Sequence, residues 1–329
     1  MWNLRNGDLE MYARVSLDRV ISSSSRTLVW HGCRRTGGGP MPAGGRPTVR
    51  SRRLGTALRQ YRQSAKLDQP QAAEIIASSQ ARISRIESGH ATPRVIEVRL
   101  LLDAYGVRDA EVRFKLEDLA KHSKNRGWWL EHAEHLRPEY VDHIALEDDA
   151  TYIREWQPVM VPGLLQTRSY AETVVADGPH YLEPERVAEL VKVRLARQAK
   201  IEEGGASYTA ILWEAALTHP LVSPAIHREQ LAAILEVGKR KNVTVQVLPF
   251  SAGILAGYSS AFYSFSFDDE PTVEAVAMDN LRGTSVLEGA EDLAAYANAF
   301  DLLRSSALAP EGSAKLIRGI LRSLKEDAS

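Results

Sequence analysis

One cysteine, Cys33, in 329 residues excludes a disulfide framework and a cysteine-built zinc site, and it suits a reducing cytosol. No stretch approaches the roughly eighteen uncharged apolar residues that a membrane span requires, so no membrane role is read from the chain. Signatures of catalysis are also missing. The sequence contains no G-x-x-x-x-G-K-[ST] and no strand-linked G-x-G-x-x-G. The run AGYSSAF lacks the second glycine of a serine elbow and fits a loop entering a strand. His132, His135 and His143, with Glu131 and Glu134 beside them, do not have the H-E-x-x-H spacing. On these grounds the chain is read as a non-enzyme with no metal and no cofactor.

What is present is an ordinary globular composition, 44% hydrophobic and 25% charged, long enough for two cores. The net charge of −1 conceals a division. Residues 1–127 hold 23 Lys and Arg against 12 Asp and Glu, whereas residues 128–329 hold 18 against 30. A basic part joined to an acidic part suggests that one piece faces phosphate and the other does not. The stretch from Ser22 to Gly45 is rich in Ser, Arg, Gly and Pro, so residues 1–50 read as a disordered extension. Met41 stands just before the first clean helix, so residues 1–40 read either as untranslated, with Met41 the true start, or as a real disordered arm.

From Leu54, Leu58, Tyr61 and Ala65 recur at helical spacing. Asp68 can cap a second helix carrying Pro70 in its first turn, and Ser79 can cap a third, with Gly89 as a left-handed stop. A fourth helix follows Pro93, and a fifth runs from about Asp109 to Lys124. Residues 51–110 therefore predict a helix-turn-helix domain. On a wheel the third helix turns Ile83 and Ile86 one way. Ala81, Ser84, Arg85 and Ser88 face the other, with Gln80 and Arg82 on the flanks. Gln can pair with adenine and Arg with guanine in the major groove, while a small side chain leaves room for a thymine methyl. Arg46, Arg50, Arg52 and Arg53 just before the first helix read either as an arm to the DNA backbone or as a solvated run.

The segment LDQPQAAEIIASSQARISRIESGHATP resembles the Xre/Cro-type helix-turn-helix family through Gln69, Ala73, Ile76, Ser79, Ile83, Ser84, Arg85, Ile86, Glu87 and Gly89. Asp68 replaces the usual Ser/Thr cap, Ala77 the turn glycine, and Ser78 an apolar residue. The resemblance implies a transcription regulator bound to double-stranded DNA as a homodimer. Gln80, Ala81 and Arg85 would face base edges. Gln69, Ser79, Arg82 and Ser84 would lie against or beside the backbone. Arg62 would pair with Glu87 behind the recognition helix.

Residues 111–150 read as a helical connector and 151–329 as an α+β domain with a small sheet. Strands are expected at SYTAILWEA, VTVQVLPF, SAFYSFSF and TVEAVAM. The fold class is thus mostly α, a five-helix head before a larger α+β body. Trp128, Trp129 and Trp156 either line an effector pocket or interface or belong to the core. Glu214, ending an apolar strand, is either functional or a helix cap or ion pair. EWQPVMVPGLLQTRSYAETVV, VKVRLARQ, WEAAL, VTVQVLPFSAG and FDLLRSSALAPEGSAKLIRGI are similar to a domain of unknown function that follows Xre-type heads in actinobacterial regulators. PTVEAVAMDN departs from it. That resemblance implies a developmental or antitoxin-like regulator, nucleoid-associated, whose body dimerises and binds an effector or a small partner protein encoded nearby. The alternative it carries is an antitoxin-like protein that sequesters such a partner and uses its head only for autoregulation.

Overall fold

The computed structural model describes residues 48–122, 127–178, 182–219, 221–257, 259–267, 272–280 and 283–326. The expectations for residues 1–47, including the start at Met41 and the placement of Arg46, lie outside them. All described residues belong to one compact unit, Arg46–Ser329.

Five helices build the head. Helix α1 spans Val49–Ser64 and begins earlier than periodicity suggests, because the Thr48 hydroxyl caps it by accepting the Ser51 N–H at 3.1 Å. Arg50, Arg52 and Arg53 are therefore helical, not part of an arm. Helix α2, Gln69–Ile75, opens on a reciprocal capping box. Asp68 accepts the Gln71 N–H at 2.8 Å, and the Gln71 amide oxygen accepts the Asp68 N–H at 2.9 Å. It stops where Ala77 takes a left-handed φ of 47°. A Cβ there is strained, which is why glycine is the usual occupant of such a turn. Helix α3, Gln80–Glu87, is capped by Ser79 and ends at Gly89, φ 78°. Helices α4, Val95–Ala104, and α5, Ala110–His122, complete the bundle. Leu54, Leu58, Ala72, Ile83, Ile86, Val98, Leu101 and Leu102 form its core.

After α5 the chain makes a 3₁₀ turn, Trp128–His132, and helix α6, Pro138–Asp149. It then enters a six-stranded sheet ordered β3-β2-β1-β4-β5-β6. The strands are β1 Tyr152–Gln157, β2 Ser207–Trp213, β3 Val243–Leu248, β4 Phe262–Ser266, β5 Ala275–Asn280 and β6 Gly283–Leu287. β1, β2 and β3 run parallel, and β4, β5 and β6 continue antiparallel from the other side of β1. Four of these strands were expected. β1 and β6 were not, and β1 is central.

Along β1 the side chains alternate, with Ile153, Glu155 and Gln157 on one face and Arg154 and Trp156 on the other. The first face packs beneath α7 (Arg168–Ala176), α10 (Pro224–Val237) and α12 (Pro310–Glu326), through Tyr170, Leu231, Ile234 and Ile317. The second packs on α11, Ala290–Ser306, through Phe300 and Leu303. Between α7 and α10 lie α8, Pro184–Arg197, and a single turn, α9, Ala215–Thr218. The chain is thus mostly α, a helical head followed by an α+β body. Among the described residues no helix is long and apolar enough to cross a membrane.

The acidic body receives the head through the first turns of α1. Arg50 Nε donates to Asp149 Oδ2 at 2.6 Å, and a second guanidinium nitrogen also engages that carboxylate. Arg50 Nη1 donates to the His122 carbonyl at 3.1 Å. Arg52 lies 3.6 Å from Asp142. Arg53 donates to Glu274 at 2.6 Å and sits over the Phe267 ring, 3.7 Å from its centroid. Arg50, Arg52 and Arg53 are neither a free arm nor a solvated run.

Candidate nucleic-acid interface

Helix α3 shows the division its periodicity predicts. Ile83 and Ile86 are each 1% exposed inside the head, whereas Gln80, Ala81, Ser84, Arg85 and Ser88 are exposed. The Arg85 guanidinium has no partner among the described residues.

Three devices hold this helix. The first is contact with α1. A Cβ on Gly55 would stand 2.3 Å from the Ile86 carbonyl oxygen, so only glycine admits so close an approach of the two backbones. The second is a buried fork. Arg62 Nε and Nη2 donate to the two carboxylate oxygens of Glu87 at 2.6 and 3.1 Å, while Nη1 donates to the Leu67 carbonyl at 2.7 Å. The hydrogen bond to Glu87 raises the Arg62 pKa further above its ordinary value. Burial pushes the nearby Tyr105 hydroxyl up to about 12, with the Glu87 charge adding to the effect. The third device is Arg82, whose Nη2 reaches both oxygens of Glu97 at 3.2 and 3.0 Å and so ties α3 to α4. Burial works against ionisation of Glu97. The Arg94 N–H at 2.6 Å and the Arg82 guanidinium outweigh it and hold the carboxyl below its usual range.

The residues expected to touch backbone are placed as follows. Gln69 stands at the start of α2 and spends one amide N–H on Glu87 at 2.9 Å, leaving its second N–H for another acceptor. Ser79 is exposed and caps α3 by accepting the Arg82 N–H at 3.3 Å. Ser84 is exposed on the outer face of α3, with its carbonyl taken by the Ser88 hydroxyl at 2.8 Å. Arg82 is half-buried and committed to Glu97, so its position is that of a brace.

The four body residues do not converge. Trp156 is 0% exposed between the sheet and α11, with its indole N–H donating to the Ser259 carbonyl at 3.3 Å; it is core, because its strand is covered on both faces. Trp129 is buried with Ile144 and Val193, and Trp128 meets it edge-on at 6.0 Å. Glu214 accepts the Phe250 N–H at 2.7 Å and so fastens the segment after β3. His132 faces Glu189, His135 faces Glu134, and His143 enters the body core, so the three histidines share no centre.

A polar layer that sequence reasoning missed lies under α6. Arg197 of α8 grips Glu147 at 2.8 and 2.6 Å and donates to Tyr140 Oη at 2.5 Å and to His143 Nε2 at 3.2 Å. Beside it, Glu155 accepts Tyr208 Oη–H at 2.5 Å and Gln157 Nε2–H at 3.0 Å. Burial raises the Glu155 carboxyl to about 7. Burial also penalises the charge on Glu147, but Arg197 more than offsets it and holds that group at about 2. The only local signal was the pair His143 and Glu147 one helical turn apart; Arg197 is fifty residues away.

A braced amphipathic helix with an exposed polar convex face, preceded by a short capped helix and a tight turn, defines the helix-turn-helix class of DNA-binding domain. Residues 53–114 match a helix-turn-helix domain family. Residues 140–319 match the family described as a domain of unknown function, DUF5753. That match covers more than half of the chain, and the protein belongs to this family. No curated protein and no solved structure matches it.

Proposed function

We propose that the protein is a sequence-specific transcription regulator of the Xre type that binds operator DNA as a homodimer, without catalysis of its own. The observation that carries this reading is the outer face of α3. Gln80, Ala81 and Arg85 stand exposed on a helix fixed by Gly55, Arg62–Glu87 and Arg82–Glu97. Gln and Arg side chains presented rigidly are the groups that read adenine and guanine edges. Gln69 and Ser84 flank them and supply backbone contacts. Two such heads would occupy half-sites about one helical turn apart. The body supplies the dimer contact and answers an effector or a small protein.

Selection from a randomised duplex library with the full chain tests this. The expected product is an enriched, two-fold symmetric site. Arg85→Ala should relax discrimination at one base pair by about 1–3 kcal/mol, whereas Gln69→Ala should weaken all duplexes alike. No enrichment and no retained duplex at moderate salt would refute the reading. Equal loss on selected and random DNA for Arg85→Ala would show that α3 presents a different face.

A further inference from the structure

Residues 48–122 carry fourteen Lys and Arg against nine Asp and Glu, a net of +5. Three of those cations, Arg50, Arg52 and Arg53, are matched by Asp149, Asp142 and Glu274 of the body. Arg52 also borders the recognition helix. A Cβ on Gly89, which ends α3, would lie 2.9 Å from Arg52 Cγ, so the stem of Arg52 packs under the turn that leaves the DNA-facing helix. More than half of the head's net charge is thus matched by the body along the first turns of α1, whose Arg52 touches the end of the recognition helix.

We propose that this clasp is autoinhibitory: Arg50, Arg52 and Arg53 form a phosphate-binding surface that the acidic body covers, and the head gains their DNA contacts only when the clasp opens. The proposal rests on the DNA-binding reading above. Guanidinium groups suit both occupants, since carboxylate and phosphate offer the same bidentate acceptor geometry. The two occupants exclude each other, because the Arg50 fork is already closed on Asp149 and Arg53 already donates to Glu274. Arg53 is further fixed by its stacking on Phe267. An effector that prefers the open form raises DNA affinity by the ratio of its affinities for the two forms.

The test is the full chain with Asp142→Asn, Asp149→Asn and Glu274→Gln, which keep side-chain size and leave an acceptor for the Phe267 N–H that Glu274 now receives. Binding to the selected duplex is measured from low to moderate salt. Each arginine released to a phosphate steepens the plot of log K against log salt by about 0.9, so the slope should steepen by up to about 2.7, with tighter binding by at least about tenfold at low salt. Adding Arg50→Gln, Arg52→Gln and Arg53→Gln to the triple variant should abolish the gain. Neutralising three exposed acids elsewhere on the body, Glu202, Glu203 and Glu229, controls for net charge and should give little of it. An unchanged slope, weaker binding, a gain that survives loss of the three arginines, or an equal gain in the control overturns the clasp while leaving DNA binding intact. If neither wild type nor variant holds any duplex at any salt, the DNA-binding reading fails and the clasp loses its competitor with it.

Discussion

Glu155 makes the stability of the body depend on pH in a direction opposite to that of an ion-paired acid such as Glu147. Its carboxyl lies wholly inside the sheet, hydrogen-bonded by Tyr208 and Gln157, and burial raises it from an ordinary 4.5 to about 7. Between those two values the folded chain holds a proton that the unfolded chain has released. Stability is therefore fullest below pH 4.5 and falls as pH rises through 7. One pKa unit is worth about 1.4 kcal/mol, so the gap amounts to about 3 kcal/mol. Glu147 has the opposite sign: held at about 2 by Arg197, it contributes stability above pH 4.5 that is lost as pH falls toward 2. Glu155→Gln replaces the protonated acid with a neutral group of the same shape that still accepts from Tyr208. Urea unfolding of the body, followed from pH 5 to 8 for variant and wild type, should give a difference in stability that grows in the variant's favour by about 2.5 kcal/mol. Taking the difference cancels the histidines. A difference that stays flat across that range would refute the raised pKa, and with it the buried placement of the group.

Two changes probe the seating of α3. Gly55→Ala on an exposed helix would stabilise by up to about 1 kcal/mol through propensity. Here the methyl group meets the Ile86 carbonyl, so the head should lose about 1–3 kcal/mol in thermal unfolding and weaken on every duplex; a stabilised variant would disprove the close approach. Arg62→Ala leaves Glu87 buried with Gln69 as its remaining partner and should cost about 3–5 kcal/mol, much of it recovered by adding Glu87→Leu. A loss under about 1 kcal/mol in chemical denaturation, typical of an exposed pair, would show that the fork is solvated.

The head was legible because its signals are local. Caps at Asp68 and Ser79, the stop at Gly89 and the two isoleucines of α3 each act within a turn of themselves, and each is found where periodicity places it. The Arg62–Glu87 fork was expected from resemblance, and it forms because α1 and α3 touch at Gly55. What escaped was set by distant partners. β1 reads YIREWQ, and the charges in it hide a central strand. Arg154 and Glu155 point to opposite covered faces, and Glu155 is satisfied by Tyr208 on the neighbouring strand. Arg50, Arg52 and Arg53 gave no sign of their carboxylate partners, since Asp149 and Glu274 lie 99 and 221 residues away from Arg50 and Arg53. A charge run in isolation looks the same whether it meets water, phosphate or the chain's own acids.

Helix α6 stands where these two kinds of contact meet. Its Asp142 and Asp149 reach outward to the arginines of α1, and its Tyr140, His143 and Glu147 turn inward to Arg197. A buried charge pair tolerates little displacement, because drawing Glu147 away from Arg197 leaves both ions desolvated, at a cost of several kcal/mol. The inner face therefore fixes α6 against the sheet, while the outer face holds the head by ion pairs that are more exposed than Arg197–Glu147 and so easier to part. Any event that moves the head is then expected to break the clasp before it shifts α6. The body would stay intact as the arginines are released, so opening should be reversible.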